Sequence, residues 1–421
     1  MKNAIKWSSI ALAVAVGNGL LVSNVTAQES EGFIEGSSAT LSNRTMNFNR
    51  DFRSPGGNAA GQSKRDETAT GFVLNFESGY SRGPIGLGFD TIAMLGIKLD
   101  STSDDAGTGI LPSSFGDTGP SNYSEIRGAV KANILEDTVL RYGVHLPENP
   151  VISYDDARLL PNHYSGYSVT NSSIDGLFVE AGRFDKRGDM AESFESDSVS
   201  QNVDDADKST YLGGTYEFTD NLSTTLYTSD IDNAWKRHFA GIGYSMDLSE
   251  GLTLSTDLVH YKTSDESGTG AFDNDASSLA VTLGAGYHGF TAAYQRMGGD
   301  NGFAYDDGSI YLANSVQYAD FNAKDERSYQ ARYDYDFAGL GIPGLTFMTR
   351  YITSDNIDVA PGVRDGRWER DTNISYTMQS GVLEGVNLLW RNATIRQDVG
   401  IDDNGDIDEN RMIVSYTWDL L

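Results

Sequence analysis

The sequence predicts an all-β chain: an eighteen-stranded antiparallel transmembrane β-barrel with inward-folded constriction loops. Three observations lead there. Apolar and polar residues alternate with period two in segment after segment, which places one set on each face of a strand. Eighteen such segments can be counted, and no long amphipathic helix stands among them. The connections alternate between short turns and long loops, the signature of an up-and-down barrel in an outer membrane. The composition agrees: 46 Gly, 22 Tyr and 18 Phe suit many strands and turns. A mean hydropathy of −0.38 is low for a helical membrane protein. It fits a barrel, in which only alternate residues meet lipid.

Residues 1–27 read as a cleaved signal peptide. Lys2 and Lys6 precede an apolar run from Ile10 to Val16, and Val25-Thr26-Ala27 supplies the small residues of a cleavage site. Residues 28–421 then form a single barrel domain. With 31 basic against 60 acidic side chains, the chain is a poor partner for nucleic acid. The absence of cysteine excludes disulfides, thiol catalysis and cysteine metal sites.

The strands can be justified in order. The first is expected near Ala39 and Leu41. Leu87, Phe89, Thr91, Ala93, Leu95, Ile97 and Leu99 share one face of another; Gly86, Gly88 and Asp90 share the opposite one, where Ile92 and Met94 are exceptions. In SEIRGAVKANIL, Ile126, Val130 and Ile134 oppose Arg127 and Lys131. After the turn LEDT, Leu140, Tyr142 and Val144 repeat the apolar face, and Arg141 and His145 join the basic one. The alternation is again clean from Leu279 to Tyr287 and from Tyr329 to Phe337. In the last segment Met412, Val414, Tyr416, Trp418 and Leu420 share a face, so it can close the sheet against the first strand. Short links are expected at 82–86, 135–138, 219–221, 248–251 and 288–289. Long ones are expected at 51–66, 100–122, 147–165, 185–208, 262–276, 299–326 and 397–409. An even strand number leaves both termini on the short-turn side. Tyr80, Trp235, Trp368, Trp390 and Trp418 are expected in interfacial aromatic girdles.

The connection PENPVISYDDARLLPNHYSGY stands apart, with three of the nine prolines and the apolar pairs Val151-Ile152 and Leu159-Leu160. A solvated loop has little use for those pairs. The segment is expected to fold back onto the face carrying Arg127, Lys131 and Arg141. A soluble sandwich is too small for this many strands, and no fixed-period repeat marks a solenoid.

Several segments resemble the OprD-like outer-membrane porin family, substrate-specific carboxylate channels. They include GFVLNFESGY (71–80), ARLLPNHYSG (157–166), ERSYQARYDYDFAGLGIPGLTFMTRY (326–351), LWRNATIR (389–396) and DENRMIVSYT (408–417). The likeness runs from about residue 32 to the C-terminus. It implies a pore narrowed by inward loops and lined by a ladder of basic side chains, passing small carboxylate-bearing solutes such as amino acids or aromatic and aliphatic acids by passive diffusion. Here the ladder would be Arg44, Arg127, Lys131, Arg141, Arg350, Arg391 and Arg411, with Arg158 in the constriction. Asp155, Asp156, Asp306 and Asp307 would form an acidic counter-wall, with Tyr305 and Tyr311 beside it. Leu389 departs from the family's basic pattern, and the chain ends in Leu421 rather than an aromatic residue.

The resemblance implies a channel in the outer membrane of a Gram-negative bacterium, not an enzyme. Its partners would be small carboxylate solutes and outer-membrane lipid, its state monomer or loose trimer, and no cofactor is expected. The bland reading of the ladder is that its arginines merely pair with inward acids such as Asp90 and Asp334. A non-conducting structural or adhesin barrel would be plugged; a barrel hydrolase would need a nucleophile and base on one wall. IDDNGDIDEN (401–410) lacks the glycine position of a calcium loop, and His145, His163 and His288 lack metal-ligand spacing.

Overall fold

The computed structural model describes residues 32–421 apart from 136, 399 and 403, so the expected signal peptide lies outside the described residues. Eighteen long strands form the wall. The first six are β1 (Ser38–Phe52), β2 (Lys64–Glu77), β3 (Ile85–Ser101), β4 (Asn122–Ile134), β5 (Thr138–His145) and β6 (His163–Ile174). Then come β7 (Leu177–Gly188), β8 (Ser209–Thr219), β9 (Leu222–Ile231), β10 (Trp235–Ser249), β11 (Leu252–Asp265) and β12 (Asn274–Ala285). The last are β13 (His288–Gly298), β14 (Arg327–Asp336), β15 (Leu345–Asp355), β16 (Arg367–Thr377), β17 (Asn387–Gln397) and β18 (Ile407–Asp419). Each pairs antiparallel with its sequence neighbours, and β18 pairs with β1 from Thr40↔Asp419 to Phe52↔Ile407. The sheet therefore closes and leaves no edge.

The alternation decides which face each side chain takes. Leu87, Phe89, Ile126, Val130, Leu140 and Tyr142 are exposed on the outside, where lipid would cover them. Arg127, Lys131 and Arg141 point into the lumen with the loops. The short connections lie at one end, as expected, with one shift: His288-Gly289 begins β13, and the turn is Gly286-Tyr287, with Gly286 at φ +60°. At the other end the loops are long, except for the three-residue link between β9 and β10. Tyr416 and Trp418 pack edge to face on one rim (4.7 Å), and Tyr351 stacks on Trp368 nearer the other (5.6 Å). Two expected girdle residues face inward instead. Trp235 is fully buried beneath Arg237 and Phe272, and the ring of Tyr80 lies 5.0 Å from the ammonium of Lys131.

The lumen is partly filled by two loops, 146–162 and 299–326. Leu159 and Leu160 are buried against Ile92, Met94, Val73 and Met46, with Leu389 at the margin. This accounts for the apolar exceptions on the inner face of β3 and for Leu389: they form a dry seat for a loop. Gly71 completes the seat, since a Cβ there would lie 2.9 Å from Leu159 Cγ. Burying each leucine is worth about 1.5–3 kcal/mol, enough to hold a proline-stiffened loop in place.

Candidate functional site: the constricted pore

The ladder stands on β1, β4, β5, β15, β17 and β18, with every member on the inner parity of its strand. Most of its cations have carboxylate partners. Arg350 meets Asp371 at 2.6 Å, Arg411 meets Glu409 at 2.7 Å, and Arg127 pairs with Glu125. Lys131 and Arg141 share Asp90, each at 2.7 Å. Arg44 grips the first loop with both amino groups, donating to the Asp156 carboxylate (2.7 and 2.6 Å) and to the carbonyls of Asp156 and Arg158 (3.0 and 2.7 Å). In this respect the bland reading holds: these pairs balance charge inside the barrel and shape it. Buried pairs of this kind tolerate loss of one partner badly.

Two cations differ. Among the described residues neither Arg158 nor Arg391 has a carboxylate within ion-pair distance. Arg158 donates to the carbonyl of Ala157 (3.3 Å) and leans over the Phe48 ring at 5.4 Å. Arg391 is 8% exposed, opposes Arg411 across the β17–β18 ladder, and leaves its Nε without a hydrogen-bond partner. Enclosure, then the charges of Arg411 and Arg50, lower Arg158 to about 10, which leaves it protonated at neutral pH.

Arg158 opens into a polar chamber of about 360 Å³ lined by Arg50, Arg367, Arg411, Gln317, Tyr318, Asp320, Asn322 and Asp402. Phe48, fully buried, lies behind three of these cations: the guanidiniums of Arg411, Arg50 and Arg158 lie 4.5, 5.2 and 5.4 Å from its centroid. A ring face attracts cations, so one aromatic side chain gathers three of them. Glu409 accepts from Arg50 at 2.6 Å as well as from Arg411, and Arg367 is paired with Glu326 at 2.7 Å. Arg158 is thus the chamber cation without an acid of its own.

The acids sort differently from the sequence expectation. Asp307 is 6% exposed, bound by Arg187 at 2.7 Å and by the Tyr164 hydroxyl at 2.5 Å. Asp306 accepts from Ser200, Gln201 and Asn202 of the neighbouring loop. Asp307 thus fixes the second loop to β6 and β7, and Asp306 ties it to the loop before β8, both outside the chamber lining. Asp155 caps the backbone of Ala157 at 2.7 Å, and Asp156 belongs to Arg44. The acids that line the chamber are Asp320 and Asp402. Tyr305 and Ser315 donate to Asp320 (2.5 and 2.6 Å), whose burial raises its carboxyl, and Tyr318 donates to Asp402 at 2.6 Å. Arg50, Phe48 and Arg367 are pore residues missed from the sequence. Arg50 was within reach, since it continues the inner parity of Arg44, Met46 and Phe48.

Comparison with known proteins bears on this geometry. The family model for the outer membrane porins of the OprD family matches residues 31–420. Porin D of Pseudomonas aeruginosa is 35% identical, with 99% of both chains aligned, and the porin-like protein GalP of Pseudomonas putida is 30% identical over 93% of this chain and 94% of its own. Among solved structures, OccK9 (OpdG) of P. aeruginosa superposes with a TM-score of 0.87 at 37% identity, covering 93% of this chain and 100% of that one. OpdK of P. aeruginosa, solved with vanillate, superposes with a TM-score of 0.82 at 31% identity, covering 92% and 100%. The chain belongs to the OprD family of outer-membrane porins.

Proposed function

We propose that this porin is a selective channel for passive diffusion of small carboxylate-bearing solutes, and not an enzyme. The observation that carries this reading is the contrast within the ladder: its other cations are ion-paired, some sharing an acid, whereas among the described residues Arg158 and Arg391 have no carboxylate within ion-pair distance. A solute carboxylate can take the place of the missing acid at each. Charge-assisted hydrogen bonds to a guanidinium fork are short and strong, and at least one further stop keeps an anion from being trapped at the first. The paired rungs hold Arg158 and Arg391 in a mostly neutralised setting, so the attraction is local and does not admit every anion. Vanillate, with which the relative OpdK was solved, carries one carboxylate on an aromatic ring; Tyr318, which lines the chamber, would suit such a ring in this chain. Asp320 and Asp402 could hold an ammonium, which extends the solute class to amino acids.

The test is uptake into proteoliposomes of benzoate against benzyl alcohol. In the parent, benzoate should pass preferentially. Losing one charged hydrogen bond of about 1.5–3 kcal/mol, partly replaced by water, should lower that preference about tenfold in Arg158→Ala and further in Arg158→Ala with Arg391→Gln. An unchanged preference in a correctly folded double variant would remove both residues from the pathway.

A further inference from the structure

The outward surface of the barrel is apolar at mid-height and breaks its own rule at the long-loop rim of β13 and β14. Along β13 the outward residues run Phe290, Ala292, Tyr294 and then Arg296; along β14 they run Tyr333, Ala331, Tyr329 and then Arg327. Tyr294 and Tyr329 are register partners with ring centroids 5.3 Å apart, an aromatic pair of the kind that marks a membrane–water boundary. The next outward register pair toward the long loops is Arg296↔Arg327. Both side chains are exposed. Like charges directly opposite each other in a sheet destabilise it.

Their neighbours show that this is not the general condition of the wall. Lys236 pairs with Asp230 and Glu266, and Lys262 with Asp275. Among the described residues neither Arg296 nor Arg327 has an ion pair or a side-chain hydrogen bond. Asp355 is the register partner of Arg327 on its other side, but its carboxylate stays beyond ion-pair distance. On the other flank Ser277 separates Arg296 from His260 and accepts or donates a bond to that ring at 2.8 Å. Two guanidinium forks side by side, facing out at headgroup depth, therefore lack a counter-charge that the protein could have supplied.

We propose that Arg296 and Arg327 form a binding site for the phosphate of an outer-leaflet lipid headgroup. Arginine forks match phosphate oxygens in pairs, and a doubly charged phosphate between two forks turns their repulsion into a shared attraction. Tyr294 and Tyr329, one step toward mid-membrane, lie beneath the headgroup where its acyl chains begin. The long loops of such barrels are extracellular, so the lipid belongs to the outer leaflet, whose glycolipids carry phosphates.

The test is native mass spectrometry of the full barrel in detergent with phosphorylated lipid A and with its dephosphorylated form. The parent should retain the phosphorylated lipid at least tenfold more. A double variant, Arg296→Gln with Arg327→Gln, should lose that preference while keeping parental conductance in planar bilayers, which shows that it is folded. Lys236→Gln, on the same wall but at a paired cation, should behave as the parent. Equal retention of both lipids by the parent, full retention by the arginine variant, or an equal loss in Lys236→Gln would each overturn the site. So would displacement of the lipid by millimolar inorganic phosphate, which would make it a free-anion site.

Discussion

Loops 146–162 and 299–326 both enter the lumen, yet they are fastened by different physics. The first rests on charge and grease: Arg44 clamps Asp156, and Leu159-Leu160 fill a dry seat made by β1, β2 and β3. The second adds to a buried ion pair, Asp307 with Arg187 at 2.7 Å, a longer series of neutral amides and hydroxyls of the wall. Gln295 donates to the carbonyls of Asp320 and Phe321 (2.9 and 3.0 Å), Gln330 to that of Ala313 (2.9 Å), and Ser278 accepts from the Ala313 amide at 3.0 Å. Glu369 adds a carboxylate that receives the amides of Tyr318 and Ala319 at 2.9 and 2.8 Å. The difference teaches that the loop bearing Arg158 and the loop that lines much of the chamber can be loosened independently, which makes charge preference and aperture separable by experiment. The first loop brings Arg158 to the chamber, while the second supplies Gln317, Tyr318, Asp320 and Asn322 to its lining.

The largest effect should come from removing the first loop. Replacing 148–161 with a tight turn takes away both the obstruction and Arg158. Single-channel conductance should rise severalfold, and discrimination between carboxylates and neutral solutes should flatten. If the shortened barrel keeps parental conductance and selectivity, the comparison collapses. A smaller change is expected from Gln295→Ala with Gln330→Ala, which loosens the second loop and leaves every ladder cation in place. Each lost bond to a buried carbonyl costs about 1–3 kcal/mol. Conductance and current noise should increase with the benzoate preference intact; a lost preference would show that the two functions are not separable.

The smallest effect concerns pH. Burial, then the charge of Asp307, pushes Asp306 up to about 6, against hydrogen bonds from Gln201, Asn202 and Ser200. Below about pH 4 the carboxyl is protonated whether the second loop is docked or released. As pH rises from there to about 6, only the released loop gives up the proton, so docking weakens across that window and is level above it. Loop-release noise should follow this course in bilayer recordings, and Asp306→Asn should remove the Asp306 contribution. A parental slope in that variant would assign the noise to another group.

The barrel and its polar face were legible in the sequence because side-chain direction in a strand is a local, period-two property. That is why Arg44, Arg127, Lys131, Arg141, Arg350, Arg391 and Arg411 could all be placed inside. Which acid neutralises which cation was not legible. Arg350 meets Asp371 through the β15–β16 register, and Arg50 meets Glu409 across 359 residues of chain. Asp307 read as pore lining because nothing nearby in sequence announces Arg187, 120 residues away. Trp235 misled for a local reason: the link before it is so short that the top of β10 resembles a rim. Ile92, Met94 and Leu389 broke the polar pattern, and each break marked the seat of a loop.

The grip of Arg44 has a consequence for how the molecule assembles. Arg44 lies on β1 and Arg411 on β18, the two strands that meet last along the chain; Ser42 and Thr417, bonded across that seam at 3.0 Å, are 375 residues apart. Contacts so distant in sequence carry the greatest closure entropy and form late. Both arginines also donate to loop 146–162, Arg44 to Asp156 and Arg158 and Arg411 to the carbonyl of Ala157. The loop therefore straddles the seam from within, as a clasp does. Seated inside, it joins the two closing strands through a third segment, so the part that enters the lumen also reinforces the seam of the wall.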